Sequence, residues 1–226
     1  MKRDRLETVI VVMAKAPRPG ATKTRLTPTL TSEQAASLYE ALLWDTFDLV
    51  RGLGWADLAV AISPPESRQY FANHTPVGTR LLSIEGVDIG DCLDQALGFL
   101  LDLGYGKVIA LNADGPSLPA AFLLQANQLL DDHQVVFGEG EDGGYYLAGV
   151  KGKHSQLFEE IAWSTAAVLE QSLAKAAAVG LSAATTPRWY DIDTIENLRR
   201  LVDELPALDG GRLVHTRRLL SKLKLL

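Results

Sequence analysis

Four cations, Lys15, Arg18, Lys23 and Arg25, crowd into the stretch Lys15-Ala16-Pro17-Arg18-Pro19-Gly20-Ala21-Thr22-Lys23-Thr24-Arg25-Leu26. Ammonium and guanidinium groups match phosphate oxygens, and the backbone amides of such a loop, Gly20 among them, add further donors. The stretch is not an ordinary P-loop. Gly20 is followed by Ala21 and no glycine stands five residues before it, so G-x-x-x-x-G-K-[ST] is not met. A turn whose Lys and Arg simply face water would have the same composition. Position directly behind a strand favours phosphate binding, because loops at strand ends carry function.

Carboxylates stand at two further places. Asp114, in Asn112-Ala113-Asp114-Gly115-Pro116-Ser117-Leu118-Pro119, follows an apolar strand and suits Mg²⁺ or Mn²⁺, which take few protein oxygens and draw the rest from phosphates and water. It equally suits a turn-capping aspartate beside Gly115 and Pro116. In Trp189-Tyr190-Asp191-Ile192-Asp193-Thr194, alternation puts Asp191 and Asp193 on one side of an extended segment, where either completes a metal site with Asp114. Asp193 also has the position of a helix N-cap, with Glu196 as its capping-box partner. Finally, Glu141-Asp142-Gly143-Gly144-Tyr145-Tyr146 offers a carboxylate and paired glycines that let backbone approach an acceptor or a sugar, or that form a plain hairpin turn.

These loops need a frame. Thr8 to Ala14 is a short β-branched run followed by prolines, which predicts a buried parallel strand. Thr31 precedes Gln34 at capping-box spacing and opens a long helix. The alternation continues with a strand at Leu58–Ser63, a short helix at Pro65–Ala72, a strand at Arg80–Ile84, a helix at about Gly90–Leu103, a strand at Lys107–Leu111 and a helix behind Pro119. Strand-like segments at Val135–Phe137 and Tyr145–Val150 then flank the glycine-rich stretch. Helices are expected at Ser164–Val179, at Thr194–Val202 and within the basic end from Arg212 to Lys224, packed on the domain or as a solvated surface helix. The pattern is that of an α/β chain with an open, mainly parallel sheet covered on both faces, in one domain spanning 1–226.

Composition excludes several classes. A net charge of −6 and a pI near 5.2 lack the basic excess of a nucleic-acid binder. A single cysteine, Cys92, rules out an internal disulfide and a cysteine-rich zinc site, and fits the cytoplasm. The opening residues Met1 to Glu7 are charged and the apolar run behind them is too short for a membrane span or a signal-peptide core. Histidines 74, 133, 154 and 215 lie outside all of these motifs, and no serine sits in a G-x-S-x-G elbow.

Together the motifs resemble a bacterial family of nucleotide-diphospho-sugar transferase-like proteins, long catalogued as a domain of unknown function and often labelled glycosyltransferase. The resemblance rests on Lys15 to Leu26, on Asp114 to Leu118, on Asp142-Gly143-Gly144-Tyr145-Tyr146-Leu147, on Trp163-Ser164-Thr165 and on Tyr190-Asp191-Ile192-Asp193-Thr194. Thr22 to Leu26 is also similar to the phosphate-binding loop of 2-phospholactate guanylyltransferases and, more distantly, of molybdenum cofactor guanylyltransferase. The resemblance implies a GT-A, Rossmann-like three-layer α/β/α fold, with Asp114 and Asp193 holding the metal. One departure is Asn112-Ala113, where the family usually has Gly followed by Thr or Ser.

The function expected is metal-dependent transfer from a nucleotide to a small-molecule acceptor. Lys23, Arg25 and Asp114 are the catalytic candidates. In one version a phosphate or carboxylate acceptor attacks a nucleoside triphosphate and releases pyrophosphate, which the many cations of the first loop favour. In another an NDP-sugar donates its sugar. A nucleotide-binding module without turnover is a third reading.

Overall fold

The computed structural model describes residues 7–225, so the charged opening segment 1–6 falls outside it. Seven strands form one sheet: β1 (Thr8–Ala14), β2 (Ala56–Ile62), β3 (Arg80–Ser83), β4 (Lys107–Leu111), β5 (Val135–Gly140), β6 (Tyr145–Val150) and β7 (Ala183–Trp189). Their order is β3-β2-β1-β4-β6-β5-β7, parallel except for β6, which runs antiparallel to both neighbours. The helices are α1 (Ser32–Gly52), α2 (Arg68–His74), α3 (Ile89–Asp102), α4 (Ala120–Asp132), α5 (Val168–Ala178), α6 (Ile195–Glu204) and α7 (Val214–Lys222).

Strand β1 is buried on both faces because alternate side chains enter different cores. Val9 and Val11 pack with α3 and α5, through Leu93, Ala96, Leu97 and Ala176. Ile10 and Val12 pack with α1, α2 and α4, through Leu43, Phe47, Phe71 and Leu123. The result is the expected three-layer α/β/α arrangement. A third cluster lies on the outer side of α1, where Leu38 and Leu42 meet Leu198 and Leu201 of α6 and Leu220 of α7. The basic C-terminal helix is therefore packed on the domain: Thr216 and Leu220 are buried.

After β1 the chain builds β2 and β3 on one side, then returns to place β4 on the other. The carboxyl ends of β1 and β4 thus form a switch point, the position where open α/β sheets bind ligands. The loop bearing Lys23 leaves one of these strands and the loop bearing Asp114 leaves the other.

Several local expectations need correction. β7 is an additional strand: its sequence, Ala183-Ala184-Thr185-Thr186-Pro187-Arg188-Trp189, carries a proline and little apolar content, which an edge strand tolerates. The helix expected from Ser164 begins at Val168, because Ser164 takes φ +63° and residues 164–167 form a turn. β5 extends through Gly138 to Gly140; a Cβ on Gly138 would lie 2.5 Å from the Tyr146 ring, so only glycine admits that packing. The cap of α6 is Thr194 with Asn197, not Asp193 with Glu196. That frees the Asp193 carboxylate.

Candidate functional site

Thr31 and Gln34 close a full capping box at the start of α1, fixing the end of the cation-rich loop. Within that loop Thr22 is buried and donates its hydroxyl to the Arg18 carbonyl at 3.2 Å. Lys23 adopts the left-handed conformation, φ +51°, which is costly for a residue with a long side chain and turns it inward. Its side chain is 4% exposed, and its ammonium lies 2.5 Å from Asp114 Oδ1 and 2.8 Å from Asp193 Oδ1. Burial alone would lower its pKa, but the two carboxylates outweigh that and the net shift is upward, so Lys23 stays charged. Two aspartates far apart in sequence thus reach one cationic centre.

The third aspartate lies within electrostatic reach of the same centre, interacting with Asp114, Lys23 and Asp193. Asn112, at the end of β4, accepts the Asp114 N–H and donates from its side-chain amide to Asp191 Oδ2 at 2.8 Å. Asp191 Oδ1 is buried with no hydrogen-bond partner. Burial first, and then the Asp114 charge, push its carboxyl up to about 7. Asp191, expected beside Asp193 as a ligand, engages Asn112 through Oδ2 alone and stays within electrostatic reach of Asp114, Lys23 and Asp193. Among the described residues, the one grouping of three potential ligand side chains within mutual reach is Asp45, Asp48 and His215. There Asp45 already accepts the N–H groups of His215 and Thr216 at the start of α7.

Lys23, Asp114 and Asp193 line a cleft of 570 Å³ that also includes Lys15, Arg25, Tyr39, Ser63, Asp88 and Asn112. Lys15 is exposed there, and its backbone N–H donates to the Tyr39 hydroxyl at 3.2 Å. Arg25 is 75% exposed, with Nη1 3.9 Å from Asp193 Oδ2. Arg18 and Gly20 are exposed on the outer bend of the loop, outside the lining, and Gly20 has φ +76°.

A second cleft of 490 Å³ opens beside the first and shares Arg25, Asn112 and Asp193 with it. Its far side holds Asp142, Gly144, Tyr145, Trp163, Ser164 and Thr165. Asp142 Oδ1 accepts the Gly144 N–H at 2.9 Å, a turn that joins β5 to β6. Gly143, at φ +87°, lies so close to residue 166 that a Cβ there would sit 2.2 Å from the Ala166 carbonyl oxygen. The hairpin and the Trp163-Ser164-Thr165 segment therefore form one wall. The sequence marked both pieces, but the places of Tyr39, Ser63 and Asp88 in the lining had no signal in spacing, since each is set by tertiary packing.

The family model described as "Uncharacterized protein conserved in bacteria (DUF2064)" matches residues 46–165, just over half of the chain. The chain belongs to this family. The match includes Asp114 and the Asp142–Thr165 wall, while the Lys23 loop and Asp193 lie on either side of it.

Among solved structures, a protein of Desulfovibrio desulfuricans G20 named as a candidate nucleotide-diphospho-sugar transferase is similar at 27% identity, with a TM-score of 0.87 over 96% of this chain and 95% of that one. A nucleotidyl transferase from Methanothermobacter thermautotroptrophicus shares the fold at 14% identity, with a TM-score of 0.57 over 89% and 99% of the two chains. Rv0371C of Mycobacterium tuberculosis H37Rv, in complex with manganese, shares it at 15% identity, with a TM-score of 0.51 over 87% and 98%. No curated protein matches the chain significantly. The fold is thus that of nucleotidyltransferases and nucleotide-diphospho-sugar transferases. Among the described residues, no helix is long and apolar enough to cross a membrane.

Proposed function

We propose that this protein is a divalent-metal-dependent transferase that takes a nucleotide in the first cleft and a small-molecule acceptor in the second. The observation that carries the reading is the convergence of Asp114 and Asp193 on the Lys23 ammonium at the switch point of the sheet. That ammonium stands in for a cation, which is the environment two carboxylates at a strand end offer Mg²⁺ or Mn²⁺. The fold-sharing nucleotidyl transferase and the manganese complex of Rv0371C point the same way.

The residues of the chain have separable roles. Asp114 and Asp193 are the proposed metal ligands, with Asp191 as an outer carboxylate held by Asn112. The metal would neutralise phosphate charge in the ground state and on the leaving group. Lys23 and Arg25 stabilise negative charge as it develops on phosphate oxygens, and Lys15 attracts the phosphates from the cleft mouth. When metal and nucleotide arrive, Lys23 exchanges its carboxylate partners for phosphate oxygens. Arg18 and Gly20 contribute to phosphate binding only if the loop closes over the ligand.

The nucleotidyl version is favoured: three cations, Lys15, Lys23 and Arg25, line one cleft, a density that suits a triphosphate. The acceptor oxygen attacks the α-phosphorus and pyrophosphate leaves. Transfer of a sugar from an NDP-sugar is the second reading, supported by the resemblance to the Desulfovibrio protein. The test is incubation with each nucleoside triphosphate, Mg²⁺ or Mn²⁺ and a pool of phosphorylated metabolites. Pyrophosphate release is expected. Its absence alongside hydrolysis of an NDP-sugar would replace the first reading by the second, and nucleotide binding with neither reaction would leave a binding module.

A further inference from the structure

Tyr39 is the residue that α1 contributes to the lining of the first cleft. Its ring belongs to the core formed with Val12, Ala14 and Leu43, and the residue is 3% exposed. The hydroxyl oxygen accepts the Lys15 N–H at 3.2 Å, which ties the start of the cation-rich loop to the helix. A phenol can also donate. Burial first, and then the Asp114 charge, raise it above its ordinary range, so the proton stays on the oxygen at neutral pH. Among the described residues, the hydroxyl donates that proton to no acceptor.

Four other donors of the cleft are in a different position. The Lys23 ammonium is engaged by Asp114 and Asp193, and the Asn112 amide by Asp191. Lys15 and Arg25 are exposed to water. Tyr39 is a buried donor whose capacity is still open. Buried polar groups are almost always partnered, so a donor left over at the wall of a cleft finds its acceptor in what the cleft binds. The Asp114 charge is felt at the phenol, so hydroxyl and carboxylate face the same part of the cleft. A phosphate drawn to Asp114 by a divalent cation arrives on the side where Tyr39 stands. A neutral donor suits this place: it bonds strongly to an anionic oxygen, yet adds no positive charge to compete with the metal for Asp114.

We infer that Tyr39 is a phosphate-binding residue of the first cleft, holding the Lys15 N–H with its oxygen and giving its proton to a non-bridging phosphate oxygen of the nucleotide. This rests on the reading of that cleft as a nucleotide site and adds a contact from a helix outside the cation-rich loop. Tyr39 and Lys23 then act differently. Lys23 has to leave two carboxylates before it can meet a phosphate, whereas Tyr39 is held ready by the core. The contact is to the part shared by all nucleotides, so it is indifferent to the base.

The experiment titrates the full chain and Tyr39→Phe with each ribonucleoside triphosphate, and with the 2′,3′-dideoxy form of the one that binds best, in Mg²⁺ buffer by calorimetry. Phenylalanine keeps the ring in the core, so a thermal midpoint within a few degrees of the parent is expected. Loss of one hydrogen bond to a charged acceptor should weaken binding about tenfold or more, by a similar factor for the ribo and dideoxy forms. Hydrogen exchange over residues 16–26 of the ligand-free protein should be the same in both. An unchanged affinity would overturn the inference. So would a loss that vanishes with the dideoxy form, which would assign the proton to a ribose hydroxyl, or a loss matched by faster exchange throughout 16–26, which would make Tyr39 a brace for the loop. A parent that binds no nucleoside triphosphate would bring down the nucleotide reading itself, and this inference with it.

Discussion

The ammonium of Lys23 lies 2.8 Å from Asp193, a residue from the far end of the chain, and both side chains meet over the carboxyl end of the sheet. The pair is asymmetric: the lysine side chain is 4% exposed and the aspartate 41%. Water and ions can therefore reach the carboxylate while the cation is shielded, so the lysine is the partner that must move for a metal to enter.

Replacing that cation should expose its effect on the metal-free protein. Lys23→Met leaves Asp114 and Asp193 facing each other and is expected to cost about 2 kcal/mol, a buried-pair value reduced for the exposure of the aspartates. Thermal unfolding with and without Mn²⁺ checks this. The ion should stabilise the variant more than the parent, since it no longer competes with an ammonium. Equal stabilisation of the two would contradict a shared cation site.

Asp114→Asn should remove the metal-dependent part of nucleotide binding. In thermal shift, the parent is expected to gain from nucleotide only with Mg²⁺ or Mn²⁺, and the variant to lose that gain. Where turnover is measurable, kcat/KM should fall at least ~100-fold. A metal-dependent shift that survives the substitution would assign the ion elsewhere, with Asp45, Asp48 and His215 the next place to look.

The stability of the metal-free protein should depend on Asp191. Its carboxyl is raised in the folded state, so the folded protein binds this proton more tightly than the unfolded chain does. The favourable contribution is therefore present at low pH and is lost as pH rises from near 4, the unfolded value, to about 7. Asp191→Asn keeps an oxygen for the Asn112 amide and cannot ionise. Denaturant unfolding across this range should show the parent falling relative to the variant; parallel curves would argue that the carboxyl titrates at the same pH in the folded and unfolded chains.

Gly143→Ala should be destabilising and should distort the second cleft. The position combines φ +87° with a close approach to the Ala166 carbonyl, so the added carbon forces the hairpin off the 163–168 segment at a cost of about 1–3 kcal/mol. Chemical denaturation measures the loss. Acceptor binding should weaken more than nucleotide binding, because only the second cleft uses that wall.

The central elements were legible because their signals are local. β1 and β4 span the predicted residues, Thr8–Ala14 and Lys107–Leu111, and the Thr31–Gln34 box forms as its spacing requires. β7 was not legible: an edge strand with Pro187 is held by pairing with β5, which no local pattern announces. Lys23, Asp114 and Asp193 could each be singled out from position behind a strand or from the family motif. That the lysine would bridge both aspartates, and that Asn112 would hold Asp191 by one oxygen, depends on how distant loops meet.

The clamp made by Arg212 reaches further than its location suggests. One guanidinium nitrogen donates to the carbonyls of Pro116, Ser117 and Leu118, gripping the turn just beyond Asp114. Asp193 and Arg212 both follow β7 in the chain, so the partner of Lys23 and the grip on the Asp114 turn come from segments that lie beyond the whole sheet and fold back over its carboxyl end.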